Sequence, residues 1–219
     1  MAYRKTISVT NLTFCDRPAA VEDFDSFTQS SLKDANQAEG SARKTSMIET
    51  ERLQMRQLTR DDLPWLISMR TRPDVMKYLG GERMQNAEAI TRRLEFYFDC
   101  YEKGLGQQVM IWKETGERIG CSGLQPLEDT GEIEVGYSIQ PEFWRRGVGY
   151  ECAMRWLDHG FNSLGLERIV AIAIKENVGS WRIMEKCGMR YEGVDEHYGL
   201  PVVCYAISKH EFNANRREE

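Results

Sequence analysis

Hydrophobic positions become periodic only from about Thr50 onward. Leu53, Met55 and Leu58 suggest a strand. Thr59-Arg-Asp-Asp62 has the capping pattern that opens a helix running through Arg70, with Pro64 in the early turns where proline is tolerated. Beyond Thr71-Arg-Pro73 a short helical piece, Val75 to Leu79, leads to Gly80-Gly81. A longer helix, Ala87 to Lys103, carries Ile90, Leu94 and Tyr97 with Phe98 and Tyr101 at helical spacing, a stripe that reads first as core packing. Three strands follow at Gln107 to Lys113, Arg118 to Leu124 and Glu132 to Ile139. The short turns Glu114–Glu117 and Glu128–Gly131 between them imply an antiparallel meander.

The second half changes rhythm. A glycine loop opens a helix over 147–164, with Tyr150, Met154 and Leu157 on one side, and the apolar run Arg168 to Ile174 reads as a buried strand. That helix is the connection a parallel pairing of strands 132–139 and 168–174 requires. A short helix, Ser180 to Lys186, stops at Gly188, and strands near Tyr191 to Glu196 and Val202 to Ser208 complete the sheet. There is no internal repeat.

Residues 1–46 lack this order. The tract Ser30 to Ser46 is polar, and so few large apolar side chains cannot offset the conformational entropy of ordering, so a disordered leader is expected ahead of one domain at 47–219. Met47, just before the first strand, is an alternative start of translation. With 41% hydrophobic and 29% charged residues, the 219-residue chain has the composition of a soluble globular protein. Its longest apolar run, Ile169 to Ile174, is too short to cross a bilayer, and the basic start Met1 to Lys5 is followed by no signal-peptide core. The cysteines at 15, 100, 121, 152, 187 and 204 form no C-x-x-C pair and have no histidine at metal spacing. They read as reduced, packed thiols of a cytoplasmic protein, with no metal. A net charge of −5 argues against non-specific nucleic-acid binding.

The chemistry concentrates where strand Ile133–Ile139 runs into Pro141-Glu-Phe-Trp-Arg-Arg-Gly-Val-Gly-Tyr150. A strand, a glycine loop and a helix start leave backbone N–H groups unpaired at the positive end of a helix, which suits a phosphate or pyrophosphate. Alone, Gly147-Val-Gly149 reads equally as a tight turn. The flanks change that: Glu134-Val-Gly-Tyr137, Trp144-x-x-Gly147-x-Gly149-x-Glu151, Asn177-x-x-Ser180 and Glu185-Lys-Cys-Gly-Met189 occur in one order. In that order the chain resembles the GCN5-related N-acetyltransferases (GNAT), and within them the ribosomal-protein N-terminal acetyltransferases, over roughly residues 47–212. A dinucleotide-binding fold fits poorly, because the loop follows antiparallel strands and G-x-G-x-x-G is absent.

The resemblance implies an α/β (α+β) fold, a mixed and mostly antiparallel sheet flanked by helices and splayed at the cofactor. It implies acetyl-CoA as co-substrate and a primary amine as acceptor, attacked directly in a ternary complex with no protein nucleophile. The pyrophosphate would meet the loop Arg145, Arg146, Gly147, Val148, Gly149 and Tyr150, with glycines there admitting the ligand to the backbone. Pantetheine would pair with Tyr137, Ser138 and Ile139 as an added strand, with Gly136 as the bulge that opens the sheet. Asn177 would hydrogen-bond pantetheine, while Ser180 either reaches the thioester sulfur or serves only as a helix N-cap. Arg182 and Lys186 would meet the 3′-phosphate or remain solvated.

For a base, Glu134 and Glu132 stand two apart on one strand face, and a reading as solvent-facing residues is equally open. Glu196 and His197 are weaker candidates. Many relatives carry a tyrosine as general acid where this chain has Met184, which cannot donate a proton. The acceptor is a protein N-terminus, as the subgroup suggests, or a small amine such as an amino acid, polyamine or aminoglycoside. A non-catalytic acyl-CoA-binding module is the rival of a different class, and either a monomer or a homodimer is compatible with the sequence.

Overall fold

The computed structural model describes residues 47–128 and 130–216; the leader expected over 1–46 lies outside them. Along the chain run β1 (Ile48–Glu49), β2 (Leu53–Gln57), a 3-10 turn (Arg60–Asp62), α1 (Leu63–Arg70), α2 (Pro73–Met76), α3 (Ala87–Tyr101), β3 (Gly106–Trp112), β4 (Glu117–Pro126) and β5 (Ile133–Ile139). There follow a second 3-10 turn (Pro141–Phe143), α4 (Val148–Asn162), β6 (Arg168–Ile174), α5 (Val178–Lys186), β7 (Arg190–His197), β8 (Leu200–Ser208) and α6 (Lys209–Asn215). The strands form one eight-stranded sheet in the order β1-β2-β3-β4-β5-β6-β8-β7. Every pairing is antiparallel except β5 with β6, which are parallel and joined through α4.

Each face of the sheet carries its own core. On one face α4, α5 and α6 cover Leu124, Val135, Ala171 and Ile207, with Trp156, Leu157, Phe161 and Phe212 buried against them. On the other, Leu66 and Met69 of α1 and Ile90, Leu94 and Tyr97 of α3 close over Val109 and Cys121. Each such fully buried side chain contributes roughly 1.5–3 kcal/mol. The buried stripe of α4 runs through Val148, Cys152, Trp156 and Phe161, so Tyr150 and Met154, expected on the packed side with Leu157, lie at its flanks.

The capping sequence Thr59–Asp62 acts one turn earlier than expected. It forms a capping box within the 3-10 turn, and α1 proper starts at Leu63. Asp62 also ties that turn to the sheet, accepting from Arg56 Nη1 (2.7 Å) and Arg118 Nη1 (3.0 Å). Burial alone would raise its pKa, but hydrogen bonds from Arg56, the Thr59 backbone and Arg118 hold the carboxyl well below the usual carboxylate range. Two elements, β1 and α6, had no counterpart in the sequence reading. β1 is a two-residue edge strand, and α6 carries one buried anchor, Phe212, behind a Ser208/Glu211 capping box.

The described cysteines are all free, and Cys100, Cys121, Cys152 and Cys187 are buried. Burial pushes the Cys121 and Cys152 thiols up to about 12. As thiols they stay unreactive at neutral pH.

Candidate active site

β5 is where the sheet opens. Its seven residues pair with β4 from Ile133↔Pro126 to Ile139↔Gly120 in unbroken register, but on the other side only Glu134↔Val170 joins it to β6. Beyond Glu134 the β6-facing edge of β5 is unpaired. Gly136 is therefore not a bulge, contrary to the expectation; the ladder shifts lie at Met110/Ile111 and Tyr191/Gly193. The need for glycine at 136 is steric, since a Cβ there would come within 2.8 Å of Gln107 Nε2. Gln107, Gly123 and Gly136 occupy one row across β3, β4 and β5; Gly136 leaves room for the Gln107 amide, while a Cβ on Gly123 would strike the backbone of Gly106 and Gln107.

A crevice of about 160 Å³ follows that open edge. An engineered apolar cavity of about 150 Å³ holds benzene, so this space suits the reacting ends of two substrates, with the remainder of a long carrier lying on open surface. Successive β5 residues present opposite faces to it. On the α1–α3 face, Glu134 and Ser138 share the lining with Arg70, Arg93, Tyr97, Gln107 and Gln125. On the α4–α5 face, Tyr137 meets Asn177, Ser180 and Met184.

Glu134 is buried, 5% exposed, and not the solvent-facing strand residue that was its alternative reading. Its Oε1 accepts from Gln125 Nε2 and from the Tyr198 hydroxyl (3.3 Å). Burial raises the carboxyl pKa, against the opposing pull of the Gln125 and Tyr198 hydrogen bonds and of the nearby Arg93 charge. The raised pKa makes it a better proton acceptor than an exposed glutamate. Tyr198 is held by an unusual turn. It has φ +53° and donates its backbone N–H to Glu128 Oε1 (2.9 Å), while Glu128, at φ +48°, sets Oε2 2.7 Å from His197 Nδ1. Non-glycine residues in this region are strained, and such strain gathers at functional sites.

Glu132 is not brought to this place. It precedes β5, and its carboxylate takes Arg168 Nε (3.1 Å), so the pair of glutamates expected on one face is divided between crevice and surface. Glu196 is exposed on β7 and does not line the crevice, whereas His197 does.

On the opposite face, Ser180 Oγ donates to Tyr137 Oη (3.2 Å), and Tyr137 Oη donates to the Ser180 carbonyl (3.1 Å). Ser180 is not the N-cap of α5. That position belongs to Asn177, whose Oδ1 accepts from Ser180 N (3.3 Å), which leaves the serine hydroxyl outside the capping duty. Burial raises the pKa of the Tyr137 phenol, so it is a neutral hydrogen-bonding group at physiological pH.

The glycine loop sits at the far end of β5. Gly147 is the N-cap of α4 at φ +78° and makes no side-chain cap, so the N–H groups of Val148, Gly149 and Tyr150 start the helix without an intrahelical partner. The two glycines have separate causes. Gly147 supplies the left-handed backbone, while a Cβ on Gly149 would meet Ile183 Cδ1 at 2.6 Å, so its bareness serves the packing of α4 on α5 more than the approach of a ligand. Arg145, at φ +56°, is exposed, and Arg146 lies over Trp112 (5.0 Å) and Phe143 (5.1 Å). Arg52 Nη1 donates to Arg146 O (2.9 Å) and its Nε to Glu151 Oε2 (2.6 Å), fastening the loop to the start of β2. Lys186 reaches over the Tyr150 ring (4.3 Å), and Arg182 is exposed on the same helix. Ile139 O already accepts from Trp144 Nε1 (2.7 Å).

An open strand edge, a bare helix start and a crevice with a buried carboxylate define a fold for acyl transfer. The profile of the Acetyltransferase (GNAT) domain matches residues 52–190, and the chain belongs to that family of N-acetyltransferases. It is 32% identical over 154 residues to the uncharacterized N-acetyltransferase YoaA of Bacillus subtilis, covering 69% of this chain and 87% of that one. Among solved structures, it resembles spermidine N-acetyltransferase from Vibrio cholerae in complex with CoA and spermine, with TM-score 0.61, 22% identity, and 75% and 99% of the two chains covered. It also resembles ribosomal-protein-S5-alanine acetyltransferase from Vibrio fischeri, with TM-score 0.60, 18% identity, and 76% and 98% covered. At those identities the likeness is one of fold. No described helix is long and apolar enough to cross a membrane, and the described residues hold no cluster of metal-ligating side chains.

Proposed function

We propose that this enzyme moves the acetyl group of acetyl-CoA to the α-amine of an acceptor, with Glu134 accepting the amine proton and Ser180, backed by Tyr137, donating toward the departing sulfur. The observation that carries this reading is that Glu134 and Ser180 line one crevice from opposite faces of β5. A proton leaving the nucleophile and a proton reaching the leaving group need separate partners, and the two faces provide them. Acetyl-CoA supplies an activated acetyl thioester. Val148, Gly149 and Tyr150 would meet its pyrophosphate through their N–H groups, with Arg145, Arg146, Arg182 and Lys186 adding charge around the loop. Tyr137 and Ser138 would pair with the pantetheine arm along the open edge and Asn177 would hold one of its amides, whereas Ile139 has its carbonyl engaged by Trp144.

The α-amine is favoured over an alkylamine by how readily it gives up its own proton. A peptide α-amine has a pKa of about 7.7–8.0 against about 10.4 for a lysine-like amine. A larger share of the former is already neutral at physiological pH, so it asks less of any base. A peptide or protein N-terminus is thus the first acceptor to test, and a small α-amino compound the second. Thiol release from acetyl-CoA, followed across peptides, amino acids, polyamines and aminoglycosides, tests the whole. Turnover with α-amines is expected. Saturable CoA binding with no thiol release for any amine would instead mark an acyl-CoA-binding module.

A further inference from the structure

The acceptor face of the crevice carries positive charge that its own residues do not balance. Arg70 from α1 and Arg93 from α3 line it, while Glu134 is the one carboxylate among the described lining residues and His197 is engaged by Glu128 behind them. Arg70 is 7% exposed, yet the groups its guanidinium meets are neutral: Nη2 donates to Gln107 Oε1 (2.9 Å) and lies 3.4 Å from Tyr97 Oη. Its Nε is buried with no hydrogen-bond partner in the protein. Arg93 lies over the rings of Tyr198 (5.3 Å) and Phe96 (5.9 Å). Three more buried polar atoms of the lining, Gln85 Oε1, Gln125 Oε1 and Ser138 Oγ, are likewise without a protein partner; the two amide oxygens suit an N–H donor such as the amine, while Arg70 Nε suits an acceptor. A buried guanidinium among neutral groups is costly, and nearly all buried polar atoms find partners, so a fixed cluster of this kind points to a ligand that completes it.

The scaffold is built to hold Arg70 in place. Gln107 takes its Nη2, Gly136 is bare so that the glutamine amide can lie where it does, and Gly123 lets the backbone of Gly106 and Gln107 approach. Gln107 and Arg70 are both buried. Planar guanidinium groups are matched to carboxylates by their paired donors.

We propose that the acceptor is an amine that also carries a carboxylate, which Arg70 receives with Arg93 beside it while the amine faces Glu134. This rests on the acetyltransferase reading of the same crevice and narrows its substrate class. A polyamine would add cations to a face that already holds two guanidinium groups.

The test compares acceptors that differ in the anion alone. Free phenylalanine is measured against phenylalaninamide, and C-terminally amidated Ala-Glu-Ala against Ala-Gln-Ala, with spermidine as the polycation; rates are expressed per neutral amine. The first pair asks whether the carboxylate belongs to a free amino acid, the second whether it is an acidic side chain behind a peptide N-terminus. In one of the two pairs the carboxylate should raise kcat/KM by about 10-fold or more, the worth of one well-placed ionic hydrogen bond. Arg70→Met should abolish that advantage, and Arg70→Lys should restore part of it. An equal rate for both members of both pairs, a preference for spermidine, or an advantage that survives Arg70→Met would overturn the proposal. Calorimetric binding of the acetylated products gives an answer independent of turnover. If no amine releases thiol, the catalytic reading falls, and the anion site stands only if N-acetylphenylalanine or acetylated Ala-Glu-Ala binds more tightly than its amide counterpart in an Arg70-dependent way.

Discussion

The two ends of the β5 crevice are built from different materials. At the end proposed for the carrier, a run of neighbouring residues from Trp144 to Glu151 offers main-chain N–H groups at a helix start, with arginines and a lysine on exposed surface around them. At the end proposed for the acceptor the lining side chains are buried or half-buried and drawn from six elements or turns: Arg70, Arg93, Gln107, Gln125, Glu134 and Tyr198. A backbone site tolerates many side chains but few backbone conformations. A site of packed side chains is sensitive to each of them, and that difference sets how each end should fail.

The largest effect should come from Gly147→Glu. The residue sits at φ +78°, where a side chain costs roughly 1–2 kcal/mol, and a carboxylate would face the anion the helix start is proposed to hold. CoA affinity by calorimetry should fall by ~100-fold or more, since a carboxylate introduced close to a phosphate costs about 3 kcal/mol or more. Gly147→Ala separates the two causes: it carries the backbone strain without the charge, so it should lose stability and keep most of its CoA affinity. Unchanged affinity in Gly147→Glu would remove the loop from carrier binding.

Next comes Glu134→Gln, at the other end. As general base it should lower kcat by ~100-fold at pH 7, with CoA affinity unchanged and the deficit shrinking as alkaline pH deprotonates the acceptor by itself. Stability should move the opposite way. Burial raises the folded-state pKa of Glu134, so the folded form favours the protonated carboxyl. That advantage is complete below the unfolded value of about 4.3 and is lost as pH rises through the higher folded value. Thermal unfolding at pH 7 should therefore occur at a higher temperature in the variant, by about 2–4 °C for each kcal/mol relieved, with the difference closing toward pH 4. A variant that unfolds earlier at pH 7 would mean that its hydrogen bonds with Gln125 and Tyr198 outweigh the burden of the buried charge.

The same division explains what could be read from the sequence. The meander, the parallel crossover through α4 and the helix after β6 follow from periodicity and turn residues, and the glycine loop is legible because its parts are adjacent. Glu134 stands out because it lies on the same strand. Arg70 and Arg93, by contrast, look like ordinary helix arginines, and Gln107 like a strand end, since nothing local says that a glycine two strands away, Gly136, clears its path. The misreadings have the same origin. Ser180 read either as a cap or as a partner of the sulfur until Asn177 proved to occupy the cap, Gly136 looked like a bulge until register made it a clearance, and Glu132 shared a face with Glu134 only until Arg168 held it at the surface. The ends of elements were legible to within a few residues. The short β1 and the single-anchor α6 carry too little periodic signal to stand out.

Gly136→Val tests the acceptor end without altering a polar group. A side chain there collides with Gln107 Nε2, 2.8 Å from the position of a Cβ, and must displace the amide that steadies Arg70. The acceptor KM should rise ~10-fold, the size of one lost charged hydrogen bond, with CoA affinity within about twofold of wild type. Equal losses at both substrates would mean that β5 itself had moved.

Ser180→Ala should be the mildest, and it addresses the one residue that borders both ends. Because Asn177 caps α5, loss of the serine hydroxyl leaves the helix its cap, and unfolding should shift little. The hydroxyl now donates to Tyr137 Oη, and in the variant the phenol keeps its bond to the carbonyl of residue 180. If the serine supplies the proton to the sulfur, kcat should fall by ~10-fold with both KM values steady, below the ~100-fold or more of a sole acid–base group because water also reaches an open crevice. Tyr137→Phe should then act in the same direction through the loss of the same chain of hydroxyls. A thiol-release rate that stays within about twofold in both variants would show that the leaving sulfur draws its proton from solvent, and that this face of β5 binds the carrier without assisting its cleavage.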